Sequence, residues 1–153
     1  MNEWNRKKGG EMVAEFDDMG VRLKFPENWK LEREDSEEGW TISIQSPDTA
    51  FLMLSFREDM PSTNAMAETA LDALKEEYPE LEADECIESL AGQPAVGHNI
   101  RFFSFDLTNT CWTRSFYSAR GTMLVLCQLN DLELEKNEPI LKAICASIEV
   151  DDE

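Results

Sequence analysis

From Val21 to Phe25 apolar and charged residues alternate, the period of a half-buried strand, and Pro26 stops the run. Past the block Pro26-Glu27-Asn28-Trp29, a weaker strand is predicted around Leu31 to Arg33. An acidic turn over 34–39 follows it, too charged to bury. Trp40, Ile42 and Ile44 then share one face, with Thr41, Ser43 and Gln45 on the other. Leu52, Leu54 and Phe56 repeat that pattern beyond the Ser46-Pro47-Asp48 turn. These strands can present their apolar faces to one core.

The period changes after Phe56. Met66, Ala67, Ala70, Leu71, Leu74 and Tyr78 form a helical stripe, predicting a helix over 65–78 with Asn64 as its N-cap and Pro79 blocking continuation. A strand near 83–89 reaches the turn Gly92-Gln93-Pro94, and 95–106, 110–119 and 123–129 read as a long antiparallel meander. A last helix is expected to start near Asn137 or Glu138, to tolerate Pro139 in its first turn, and to bury Ile140, Leu141, Ile144, Cys145 and Ile148. On 110–119, Trp112, Arg114 and Phe116 fall on one face and Cys111, Thr113, Ser115 and Tyr117 on the other. A face left without a helix would offer aromatics to a second copy or a client.

The chain has 153 residues, enough for one packed core, and the element order predicts a single α+β domain: a twisted antiparallel sheet flanked by helices on its faces. Residues 1–12 read as a flexible N-terminal arm, 13–150 as the domain and 151–153 as an acidic tail. With no stretch of about 20 apolar residues, no membrane span is expected, and the first ten residues lack the apolar core of a signal peptide. The expectation is a cytosolic protein.

Three blocks carry a family resemblance across roughly residues 15–150: Val21 to Trp29, where a strand ends in a Pro-x-x-Trp turn; Leu90-Ala91-Gly92-Gln93-Pro94-Ala95; and the closing Pro139-Ile140-Leu141 to Ser147-Ile148 segment. In order and spacing they resemble the PsbP-like superfamily, which includes photosystem PsbP subunits, Ran-binding Mog proteins and bacterial DcrB-like proteins. The resemblance implies an α/β/α sandwich and a protein that binds other proteins. Known partners in the family differ widely, so the fold transmits no specific function. No Ran-contacting motif is matched here. In size and acidity the chain is also similar to the Eag-type adaptor chaperones of type VI secretion.

Charge narrows the partners. Against 14 Lys and Arg stand 32 Asp and Glu, a formal net charge of -18 that repels nucleic acid and anionic membranes. The excess peaks at Glu76, Glu77, Glu80, Glu82, Asp84, Glu85 and Glu88. That cluster could receive a basic or amphipathic partner, or simply be a solvated face that keeps the protein soluble. Trp29 and Trp40 flank the acidic hairpin and offer anchors to such a partner, with core packing as the competing role. Homodimerisation is left open, because the sequence carries no interface signature.

Signals for catalysis are sparse. Cys86, Cys111, Cys127 and Cys145 form no CxxC pair and are expected as reduced, buried thiols. A disulfide between Cys111 and Cys127 depends on one residue of hairpin register. The single histidine, His98, has no ligand partner nearby in sequence and reads as a structural or surface residue. Neither a Gly-x-Ser-x-Gly elbow, an HExxH helix, an EF-hand loop nor a phosphate-cradling glycine loop occurs. The expectation is a non-catalytic interaction or chaperone-like module with no cofactor and no metal. A small hydrolytic or small-molecule-binding enzyme using cleft carboxylates is the competing class.

Overall fold

The computed structural model describes residues 13–151. The predicted arm over 1–12 and the last two residues of the tail lie outside them. Among the described residues ten strands and two long helices form two antiparallel sheets rather than one. A three-stranded sheet has the order β1-β2-β10, with β1 Val13–Asp18, β2 Val21–Pro26 and β10 Glu149–Val150. A seven-stranded sheet runs β3-β4-β5-β9-β8-β7-β6. Its members are β3 Lys30–Ser36, β4 Gly39–Gln45, β5 Phe51–Arg57, β6 Glu82–Leu90, β7 Gln93–Ser104, β8 Leu107–Tyr117 and β9 Thr122–Asn130.

Register puts Trp40, Phe56, Met123 and Phe116 in one cross-strand row, with Ile42, Leu54, Val125 and Arg114 in the next. This face meets Val21, Leu23 and Phe25 of β2 and Leu141, Ile144 and Ile148 from helix α2, Leu134–Ala146, and its exit. Stacking of Trp40 on Phe56 at 5.6 Å, with Phe16 at 5.3 Å on its other flank, fixes the centre of this core. The opposite face is covered over β7, β8 and β9 by helix α1, Thr63–Glu77. There Leu71 joins Ile100, Phe102 and Cys111, and Tyr78 stacks on Phe102 at 3.9 Å. One sandwich thus has a helix on each side. Both faces of β8 are covered, so neither offers the open aromatic surface that a face without a helix would have given.

Helix limits differ from the sequence expectation for physical reasons. Ser62, not Asn64, caps α1 by accepting from the Ala65 amide at 3.0 Å. Helix α2 starts three residues before Asn137, after a short 3₁₀ turn over Asp131–Glu133, and Pro139 therefore sits past the first turn. The Glu133 carboxylate holds that start in place. It accepts from the amides of Thr49 and Ala50 at 3.1 and 3.0 Å and from Asn137 Nδ2 at 2.6 Å. Strands β1 and β10 were not foreseen: β1 buries only Phe16, and β10 has two residues. Asp151, predicted as tail, is engaged, donating its amide to the Gly20 carbonyl and accepting from Arg22 at 2.9 Å.

Three hairpins are closed by two residues at positive φ, the mirror-image turn that matches strand twist: Met19-Gly20, Ala91-Gly92 and Phe105-Asp106. Only the third lacks glycine. Phe105 and Asp106 hold φ values of 54° and 63°, the left-handed region that a bulky side chain rarely adopts.

Candidate functional site

The acidic cluster divides once β6 forms. Glu76, Glu77 and Glu80 are exposed at the end of α1 and the loop beyond. On β6, alternation sends Glu82, Asp84 and Glu88 to one face of the sheet and Glu85 to the other. All are exposed, but they do not make one patch. Trp29 and Trp40 are 5% and 3% exposed and belong to the main core, which corrects their reading as surface anchors. The rings are consumed by packing and present nothing to a partner.

Glu82, Asp84 and Glu88 rim a cleft of about 560 Å³ between β6, β7, β8 and α2. Arg101, Arg114, Trp112, Lys142 and Cys145 also line it. Arg114 is buried in the floor and fully used: it pairs with Glu88 and donates to the Thr113 carbonyl at 2.7 Å and to Asn99 Oδ1 at 2.8 Å. Lys142 lies 5.9 Å from the Trp112 ring, within cation–π reach. Mixed charge around one aromatic ring suits a small polar ligand or a peptide side chain better than an extended acidic or basic polymer.

Cys145 in the wall of this cleft meets Cys127 behind it, with sulfurs 3.5 Å apart. Burial pushes the Cys127 thiol well up. Its hydrogen bond to Cys145, aided by Trp112 hydrogen bonding and the Arg114 charge, holds Cys145 below the ordinary thiol value. Cys111 is pushed up to about 12 by burial alone. Its cross-strand partner is Gln128, so Cys111 and Cys127 point to opposite faces, and the pairing considered for them is excluded by register.

On the other face, His98 is buried opposite Glu85 and lies with Nε2 3.5 Å from Glu68 Oε2 on α1. Ligand-capable atoms of Glu68, Glu85 and His98 fall within 4.8 Å of one another, and His98 Nδ1 is buried without a hydrogen-bond partner. The sequence could not show this grouping, because α1 and β6 meet β7 only in the folded chain.

The feature least visible in the sequence is the end of the β7–β8 hairpin. Phe105, at the turn, is 95% exposed and Phe103 is 73% exposed. Asp131 ties the 3₁₀ turn to this hairpin, accepting from Arg101 Nη2 and Thr110 Oγ1, each at 2.8 Å, and the adjacent Leu132 is 80% exposed. Three large apolar side chains are thereby held out in water on a hydrogen-bonded frame. A contiguous exposed apolar patch marks an interaction site, whereas apolar side chains exposed singly are ordinary.

No protein-family model and no curated protein matches the chain. Solved structures do. The solution structure of cyanobacterial PsbP, CyanoP, from Synechocystis sp. PCC 6803 superposes with a TM-score of 0.64 at 12% identity, covering 91% of this chain and 92% of that one. The fold is PsbP-like. LpqN of Mycobacterium tuberculosis, described as involved in cell envelope biogenesis, gives a TM-score of 0.58 at 16% identity over 97% of this chain and 95% of its own. A Bacteroides thetaiotaomicron protein gives 0.61 at 12% identity, with 91% of this chain covering 48% of that one. At these identities the likeness fixes the PsbP-like architecture, while the cleft and the aromatic hairpin end are described from this chain alone.

Proposed function

We propose that the protein is a non-catalytic, protein-binding module of chaperone-like character that engages its partner through the end of the β7–β8 hairpin. The observation that carries this reading is Phe105: almost fully exposed, and held with Asp106 in a backbone conformation that disfavours a phenylalanine. Local folding gains nothing from that choice, and a binding surface does. The net charge of -18 adds a preference for a basic or amphipathic partner. Affinity capture from native lysate tests this: the reading expects one partner, retained by the wild type, weakened by salt and lost on Phe103→Ser with Phe105→Ser. Retention unaffected by the double substitution would refute it.

A second reading is supported by the cleft, whose volume and single aromatic ring suit a small polar ligand. It expects thermal stabilisation by a member of a metabolite panel, abolished by Trp112→Ala and untouched by substitutions at Phe103 and Phe105.

A further inference from the structure

We propose that Cys145 is an oxidation site for hydroperoxides and that Cys127 resolves it to a disulfide joining α2 to β9. The inference is independent of the partner-binding surface and stands on placement. Cys145 lines the cleft and is reached from it, whereas Cys127 lies behind at 0% exposure. Their sulfurs, 3.5 Å apart, are in van der Waals contact. A disulfide of about 2.05 Å asks for roughly 1.5 Å of further approach, within reach of side-chain rotation at a helix facing a strand.

The surroundings favour attack by Cys145 rather than Cys127. Trp112 hydrogen bonding and the Arg114 guanidinium support negative charge on the Cys145 sulfur against the opposing charge of Glu88, while at fully buried Cys127 desolvation outweighs the same guanidinium and pushes the thiol up. The Cys145 thiolate attacks one peroxide oxygen: an S–O bond forms, the O–O bond breaks, and an alcohol or water leaves with the proton. The Cys127 sulfur then attacks the Cys145 sulfur: an S–S bond forms, the S–O bond breaks, and water leaves with the Cys127 proton. The two sulfurs lose two electrons in total and the peroxide gains two. Cys86, half-buried on edge strand β6, and Cys111, on the far face of the sheet, supply internal controls.

The test is to treat the full chain with hydrogen peroxide, alkylate the remaining thiols, and map peptides without reduction. The expected product is a Cys127 to Cys145 cross-linked peptide lacking two hydrogens, formed roughly tenfold faster than any product at Cys86. With Cys127→Ala the reaction should stop at a Cys145 sulfenic acid captured by dimedone, and the tryptophan emission change expected when the wild type forms the disulfide beside Trp112 should be absent. Recovery of Cys127 and Cys145 fully alkylated while Cys86 is oxidised, or equal rates at all three, would overturn the proposal. Should Cys127→Ala not fold by circular dichroism, the wild-type peptide map decides alone.

Discussion

Arg114 on β8 reaches across β7 to pair with Glu88 on β6, passing over Gly97 and also donating to the carbonyls of His98 and Thr113. A guanidinium 7% exposed is fully partnered, whereas the carboxylate it meets is 52% exposed. The two ends of this pair should therefore not be worth the same. Arg114→Met removes the buried donors to the His98 and Thr113 carbonyls and to Asn99 Oδ1 and is expected to lower the unfolding free energy by about 1–3 kcal/mol. Glu88→Gln removes a partner from the wet end and should cost under about 1 kcal/mol. Urea denaturation of both variants measures the difference, and equal costs would contradict this account of the cleft floor.

Gly97 makes the crossing possible. A Cβ built there would fall 1.7 Å from the Thr113 carbonyl oxygen on the neighbouring strand, so Gly97→Ala must push β7 and β8 apart. The expected loss is about 1–3 kcal/mol from overpacking. At Gly92 a Cβ would meet nothing within 4 Å, and only the positive φ opposes it. Gly92→Ala should cost about 1 kcal/mol, a backbone effect alone. Chemical denaturation distinguishes the two.

At the hairpin tip the sign reverses. Replacing Phe105 and Asp106 together by Asn and Gly installs residues that suit two positive φ values and removes almost no packing, since Phe105 is exposed. Stability is expected to rise by about 1 kcal/mol. A thermal melt checks it, and a fall in melting temperature would mean that Phe105 packs in a way this structure does not show.

Acid should destabilise the fold through three aspartates. Hydrogen bonds from Arg33 to Asp18, from Lys136 and Asn137 to Asp48, and from Arg57 to Asp59 hold these carboxyls below their ordinary value of 3.8. A lowered folded-state pKa contributes stability that is present above the unfolded value and lost as pH falls through the folded one. The melting temperature should therefore decline below about pH 4, and Asp48→Asn should make that decline shallower. A melting temperature unchanged down to pH 2 would contradict the pairing.

Much of the fold was legible because its strands alternate cleanly. β2, β4 and β5 bury every second residue, and the stripe of α1 points to one face. What escaped has identifiable causes. β1 buries too little to alternate visibly. The turn at Phe105-Asp106 carries no glycine, so 95–106 read as an unbroken strand that ran through it. For Trp29 and Trp40 the sequence allowed both core packing and a surface anchor beside the acidic turn, and core packing is what the fold shows, because burial of a tryptophan is settled by what packs against it, here Phe16 of β1 on Trp40, and not by its sequence neighbours. The Arg114 to Glu88 and Cys127 to Cys145 contacts depend on register and on where α2 lands, neither of which local pattern encodes.

The most direct test of the proposed function is site-specific photocross-linking in the native host, with benzoylphenylalanine at position 105 and, as a control, at exposed Glu37 on the far edge of the sheet. The account predicts one discrete adduct from position 105, absent from position 37 and lost when Phe103→Ser is added, with the melting temperature unchanged. No adduct at 105, or the same adducts from both positions, would contradict it.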